Sequence, residues 1–228
     1  MKQYGRKGVM LAASLSALAG YVDAVGFLTL GGFFVSFMSG NTTRLGVAIA
    51  GGGGAAALTA LGLIVLFVVG VIVGATVARR AGEGRRALVL AVEAALLLMA
   101  AAVFTAGHRE AAMIAVTLAM GVENAVFQRD GDVGVGLTYM TGALVKAGQR
   151  IATALHGGPR WDWWPYLALW AGLCAGGALG AAAFVRFGGL ALWAAAGVVV
   201  CLMLAVWRVE MRERRVGGHV PVSDRQGD

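Results

Sequence analysis

Charge is excluded from long stretches of this 228-residue chain and gathered into the short gaps between them. Six stretches are strongly apolar: Val9 to Leu30, Ala55 to Ala78, Ala87 to Ala106, Ala111 to Phe127, Trp164 to Val185 and Gly188 to Trp207. A helix needs about 20 residues to cross the hydrocarbon of a bilayer. Each stretch is that long or nearly so, which predicts six spanning helices. Two further segments, Phe33 to Ala50 and Gly136 to Leu155, are apolar but interrupted by Ser, Thr and Asn and by Arg44, Lys146 and Arg150. Whether these two cross decides the topology.

Basic clusters settle that question, because Lys and Arg flanking a span stay on the cytoplasmic side. Lys2, Arg6 and Lys7 precede the first span, RRAGEGRR (Arg79 to Arg86) follows the second, and RVEMRERR (Arg208 to Arg215) follows the last. If both polar segments crossed, one of these clusters would face outward. If neither crosses, six spans put all three clusters, and both termini, in the cytoplasm. The remaining gaps agree: Gly51 to Gly54 is uncharged and falls outside, as does Gly107 to Glu110, while Gln128 to Asp132 and Arg160 fall inside. Trp161 to Trp164 (WDWW) then anchors the inner interface. The two polar segments are expected to be re-entrant or broken and buried among the spans, since non-helical backbone at membrane depth needs protein or water around it. A signal peptide ending near Gly20 is disfavoured, because the apolar stretch continues to Leu30.

Composition agrees with that class. Hydrophobic residues make up 59% and charged residues 14%, far from the balance of a soluble domain. The net charge of +7 sits in topology signals rather than on an aromatic-laced face, which excludes a nucleic-acid partner. Cys174 and Cys201 lie within apolar runs and read as small packing residues. His108, His156 and His219 are too scattered for a zinc site, so no metal and no cofactor is expected.

The chain also repeats itself. At an offset of 101, Gly20, Asp23, Ala24 and Val25 match Gly121, Asn124, Ala125 and Val126. At 102, MSGNTTRLGVAIA (Met38 to Ala50) faces MTGALVKAGQRIA (Met140 to Ala152), with Ser39 opposite Thr141 and Arg44 opposite Lys146. Gly70 and Gly74 meet Gly172 and Gly176 at the same offset. Three spans per copy turn the second copy upside down, giving inverted repeats over 9–106 and 111–207 within one membrane domain (1–207). The basic remainder, 208–228, is expected to be a mostly disordered cytoplasmic tail. Inverted repeats commonly place a binding site or pore where their broken segments meet.

GYVDAVGFLTLGGFFVSFMSGNTTRLG, with GVENAVFQ and YMTGALVKAG in the second half, resembles the YoaK family of bacterial inner-membrane proteins. The likeness runs from about Leu15 to Trp207, and SGNTT is its most specific part. The second copy departs from it, with Ala143 where the first has Asn41. The resemblance implies a six-span membrane protein and leaves activity open.

Candidate chemistry lies with the polar residues inside the apolar runs. Asp23, Glu93 and Glu123 are ionisable groups at membrane depth, which are expensive and need a partner, a cavity or a task. Asp23 is read either as a proton or cation site or as an acceptor holding a re-entrant backbone. Glu93 is read as a proton relay or as one half of an interhelical ion pair, and Glu123 as a weaker proton-coupling candidate. Ser39, Gly40, Asn41, Thr42 and Thr43 form the densest polar cluster, with Thr141 and Gly142 as its second-copy counterpart. Arg44 and Lys146 either neutralise a bound anion or snorkel to an interface. Together with Asp23 and Asn124 these residues are expected to line one solute site, the two segments facing each other near the midplane. The spaced glycines Gly70, Gly74, Gly172, Gly176 and Gly180 read as packing seams within or between subunits, allowing a homo-oligomer.

No nucleophile and base pair up, and no phosphate-binding loop is present, so no catalytic residues are assigned. The favoured function is a secondary transporter or channel for a small anionic or zwitterionic solute, with protonation of Asp23 able to couple its movement to the proton gradient and a passive channel fitting the same residues. The alternative is a membrane scaffold or regulatory subunit without transport, and an intramembrane enzyme using Asp23 or Glu93 lacks a complete constellation.

Overall fold

The computed structural model describes residues 5–82, 84–129, 132–133 and 139–217. Lys2, Glu83, Gly136, His219 and the rest of residues 218–228 lie outside these residues. The described chain is helical: α1 Arg6–Thr29, α2 Met38–Ala50, α3 Gly54–Ala81, α4 Arg85–Thr105, α5 Arg109–Glu123, α6 Met140–Leu155, α7 Trp164–Phe187 and α8 Leu190–Gly217. A 3-10 turn, Asn124–Phe127, extends α5, and a short antiparallel pair joins β1 Gln128–Arg129 to β2 Asp132–Val133.

Six of these helices are long and apolar enough to cross a membrane: α1, α3, α4, α5 with its 3-10 extension, α7 and α8. They correspond to the six apolar stretches. α8 runs past Trp207 to Gly217, so the basic stretch after Trp207, expected to be mostly disordered, is helical that far. α3 ends where Gly82 and Gly84 take positive φ values of 54° and 88°, turning the chain at little steric cost.

Glycines set the closest helix contacts. Gly172, Gly176 and Gly180 of α7 abut the backbone of Ala13, Ala17 and Tyr21 of α1, so these two helices run parallel. Gly70 and Gly74 of α3 meet Leu118 and Val122 of α5 in the same way, and these also run parallel. A Cβ at any of these glycines would run into partner backbone, so the missing side chain is what permits the approach. These seams are therefore filled within the chain, the intrasubunit form of the packing reading. Cys174 and Cys201 are free and exposed on the outer surface rather than packed inside.

α4 packs on α5 and on α8. It runs antiparallel to α8: Gly84 lies beside Arg214 at one end, and Trp193 Nε1 donates to Thr105 Oγ1 at 3.1 Å at the other. Short connections reverse the chain between α3 and α4, between α4 and α5, and between α7 and α8. Thus α1, α4 and α7 point one way and α3, α5 and α8 the other. The chain leaves α1 and enters α3 at the same end of the bundle, and it likewise leaves α5 and enters α7 at one end. Neither α2 nor α6 is a crossing. Arg6 and Lys7, Arg79 to Arg86, and Arg208 to Arg214 share one end with Trp161, Trp163 and Trp164.

α5 is the central helix, 78% of its span being buried, whereas α3 and α7, at 17%, face outward. α2 and α6 were expected among the spans, but they lie at the periphery. α2 packs on α3 and buries only Asn41, and α6 packs on α7 through Met140, Ala143 and Ala147. Their other faces carry exposed Val47, Ile49, Leu144, Val145 and Ile151, an apolar covering suited to lipid. Among the described residues the two form no packed interface with each other, so the expected face-to-face arrangement is corrected too.

Candidate functional site

The polar block of the first half is built around a loop. Between α1 and α2, residues 30–37 leave the helix, starting at Gly31 and Gly32 with φ of 63° and 103°. Their backbone groups lose helical partners at membrane depth and need others. Asp23 supplies them from α1. Its Oδ1 accepts from the Val35 N–H at 2.8 Å and the Ser36 N–H at 2.7 Å, and its Oδ2 accepts from Ser36 Oγ at 2.6 Å. Asn41 completes the clamp from α2, accepting from the Phe34 N–H at 3.0 Å and donating to the Phe34 carbonyl at 2.7 Å. The two side chains replace the ladder that the backbone lacks. Of the two readings of Asp23, the geometry matches the backbone-holding one.

Thr42 and Thr43 are exposed, and their hydroxyls donate to the Met38 and Ser39 carbonyls one turn back. Ser39 is exposed, while Gly40 packs against Phe37 and Phe34. Arg44 folds back toward Gly32, its guanidinium 5.8 Å from the Phe27 ring centre and 5.2 Å from that of Phe33. Both distances suit cation–π attraction. Phe33, Gly40, Thr43, Arg44, Val47 and Ala48 of this block, with Ala56 of α3, line an open cavity of about 620 Å³. No acid is within ion-pairing distance of Arg44 among the described residues, so its charge faces the cavity unneutralised by protein.

The second-half counterpart is less complete. Asn124 Nδ2 donates to the Met120 carbonyl at 2.9 Å, and its buried Oδ1 has no partner among the described residues. Residues 134–138, where a loop like 30–37 is expected, lie outside the described residues. Thr141, Gly142 and Lys146 are exposed on α6, off the stripe that packs on α7. They do not join Arg44 in one site.

The second polar centre lies in the core. Glu93 of α4 and Glu123 of α5 are both completely buried, and none of their four carboxyl oxygens has a hydrogen-bond partner among the described residues. Glu123 is within electrostatic reach of Glu93 and of Asp23. Glu93 stands eight residues into α4, about 12 Å from its start at 1.5 Å per residue. Among the described residues no base pairs with either acid, which speaks against the ion-pair reading of Glu93. The three acids do not converge as metal ligands, for no group of three or more His, Cys, Asp or Glu side chains among the described residues could hold a metal ion.

Ser36, Phe27 and Phe33 were missed from sequence. Ser36 belongs to the broken segment next to the polar block, and the two rings flank Gly31 and Gly32, but only the fold of the loop brings them to Asp23 and Arg44. The proximity of Glu93 and Glu123 did have a signal: they stand 12 residues before the end of α4 and 14 after the start of α5, so an antiparallel hairpin sets them nearly level.

A family model described as "Protein of unknown function (DUF1275)" matches residues 11–205. The chain is similar to the UPF0700 transmembrane protein RA0705 of Rhizobium meliloti (strain 1021), 36% identical over 205 residues that cover 90% of this chain and 88% of that protein. It is also similar to the UPF0700 transmembrane protein YoaK of Bacillus subtilis (strain 168), 28% identical over 154 residues, 64% of this chain and 68% of that one. No solved structure matches. The match over most of the length, together with six helices of spanning length, makes the chain a multi-pass membrane protein that belongs to the DUF1275 family.

Proposed function

We propose that the protein is a proton-coupled secondary transporter or channel for a small anionic solute in the bacterial inner membrane, with both termini cytoplasmic. The observation that carries this reading is the Glu93 and Glu123 pair. Two fully buried carboxyl groups without partners among the described residues are costly in a membrane core, and proton transfer is a task that accounts for them. Arg44 and its cavity supply the anion-recognising part, and Asp23 is given the structural role. No reaction is assigned, and a scaffold role loses its main support because the glycine seams are filled internally.

The contacts support a duplicated, inverted plan. At an offset of 101, Ala17 and Tyr21 correspond to Leu118 and Val122. Those residues receive Gly176 and Gly180 in one seam and Gly70 and Gly74 in the other. The equivalent glycines therefore differ by 106, not the 102 expected, and the four extra residues, about one helical turn, fall in the longer connection between α6 and α7. The α1–α7 pair points opposite to the α5–α3 pair, as inversion requires. Three basic clusters at one end support the cytoplasmic orientation of that end.

The test is a liposome assay. Purified protein is reconstituted with a trapped pH-sensitive dye, a pH gradient is imposed, and inorganic phosphate and small carboxylates are offered in turn. Solute-dependent proton flux should exceed that of empty liposomes and fall in Glu93→Gln and Glu123→Gln. Flux no faster than empty liposomes with every solute would reject the reading.

A further inference from the structure

We propose that the groove between α4 and α8 is a binding site for an anionic phospholipid, one acyl chain lying in the groove and the phosphate at its basic mouth. The groove has a volume of about 510 Å³. Ala87, Leu88 and Ala91 of α4 face Met203, Leu204 and Trp207 of α8 across it. The small alanines leave a trough beside the larger side chains. It opens on the outer surface of the bundle, where Leu88 is 47% and Trp207 50% exposed.

Polarity along the trough is ordered as in a phospholipid. Its length is apolar, and only its end at Gly84, Glu210 and Arg214 is polar. Arg214 is the arginine that lines the groove itself; Arg85 follows Gly84 on α4, and Arg208 and Arg212 adjoin the lining residues Trp207 and Met211 on α8. Glu210 and Glu213 are the acids nearby among the described residues, and the arginines outnumber them. A soluble anion would gain nothing from the apolar trough, and a zwitterionic lipid would gain little from the net positive mouth. Arginines in a pocket between helices at the bilayer surface attract anionic head groups by about 1 kcal/mol each. Trp207 sits between trough and mouth, the depth at which an indole ring favours the interface. This site is independent of the Arg44 cavity and of transport.

Native mass spectrometry of the full chain in mild detergent tests it, using an equimolar mixture of dioleoyl phosphatidylglycerol and dioleoyl phosphatidylcholine. The parent should retain phosphatidylglycerol about tenfold over phosphatidylcholine, the effect of one to two arginines. Arg85→Gln combined with Arg208→Gln should bring the ratio close to one, and Ala91→Leu, filling the trough, should lower retention of both lipids. Replacing partly or fully exposed arginines leaves the packing untouched, and circular dichroism checks that each variant keeps the parent's helix content. Equal retention of the two lipids by the parent, or an unchanged ratio in the double variant, would overturn the proposal. So would a dimer whose formation expels lipid, since a second copy would then occupy the groove.

Discussion

Replacing Asp23 by Ala and by Asn separates its structural role from a proton-carrying one. Asp23→Ala removes the acceptor of two backbone N–H groups, on Val35 and Ser36, and the partner of the Ser36 hydroxyl. Each donor orphaned away from water costs about 1–3 kcal/mol, so losing both amide partners weakens the loop locally by about 2–6 kcal/mol. Asn keeps a carbonyl oxygen where Oδ1 lies, and its amide can donate to the Ser36 hydroxyl, so Asp23→Asn should stay within about 1 kcal/mol of the parent.

Hydrogen–deuterium exchange of peptides covering residues 30–37 reads this directly. A tenfold change corresponds to about 1.4 kcal/mol. The Val35 and Ser36 amides should therefore exchange roughly thirtyfold to ten-thousandfold faster in Asp23→Ala and less than about tenfold faster in Asp23→Asn. Parental exchange in the Ala variant would refute the clamp. If Asp23→Asn matched the parent in exchange but abolished pH-driven solute accumulation, the proton-carrying role would return to Asp23.

Other outcomes follow from the same geometry. Gly176→Leu drives a side chain into the Ala17 backbone and should lower thermal stability in detergent by more than about 3 kcal/mol, while Gly62→Leu, with open space around it, should not, as size-exclusion thermostability would show. Glu93→Gln removes a buried carboxyl group without a partner and should leave thermal stability equal or higher while slowing solute-driven proton flux. Arg44→Lys loses the planar stack on Phe27 and Phe33 and should cost about 0.5–1 kcal/mol in a thermal melt. Residues 1–107 and 108–228 expressed together should copurify, whereas either piece alone should be degraded, because α1 needs α7 and α3 needs α5.

The spans were legible because apolar length is a direct consequence of bilayer thickness, and the basic clusters because each sits beside a span end. Gly70, Gly74, Gly176 and Gly180 were legible as seams from spacing alone. Their partners were not: a helical stripe shows which face is small and says nothing about which helix it meets. On the proposed duplicated plan, the contacts with Leu118 and Ala17 pair Gly70 with Gly176 rather than with Gly172, a choice of register that frequent glycine leaves open in the sequence. Asp23 was found by its charge in an apolar run, whereas its role depended on Ser36, thirteen residues away across a non-helical loop. α2 and α6 were placed centrally on polarity. The hydroxyls of Thr42, Thr43 and Thr153 bond within their own helices, and the outer faces carry apolar side chains, which suits both helices to the periphery.

On the proposed inverted plan, equivalent interfaces should be alike, and two are not. α4 packs extensively on α5, whereas the equivalent pair, α8 and α1, touches lightly. α3 with α4 is likewise closer than α7 with α8. The α1–α7 pair is thus a loosely attached body beside a tight group of α3, α4, α5 and α8, although each half carries the same helices. On the proposed transport reading, exchange between inward and outward arrangements would have α8 close on α1 while α4 loosens from α5. Glu93 and Glu123 lie on the α4–α5 interface that would open. Both are sealed from water in the arrangement described; uncovering them in the other would let the pair load and release a proton, so Glu93→Gln and Glu123→Gln should each slow proton flux, and parental flux in both would refute the idea.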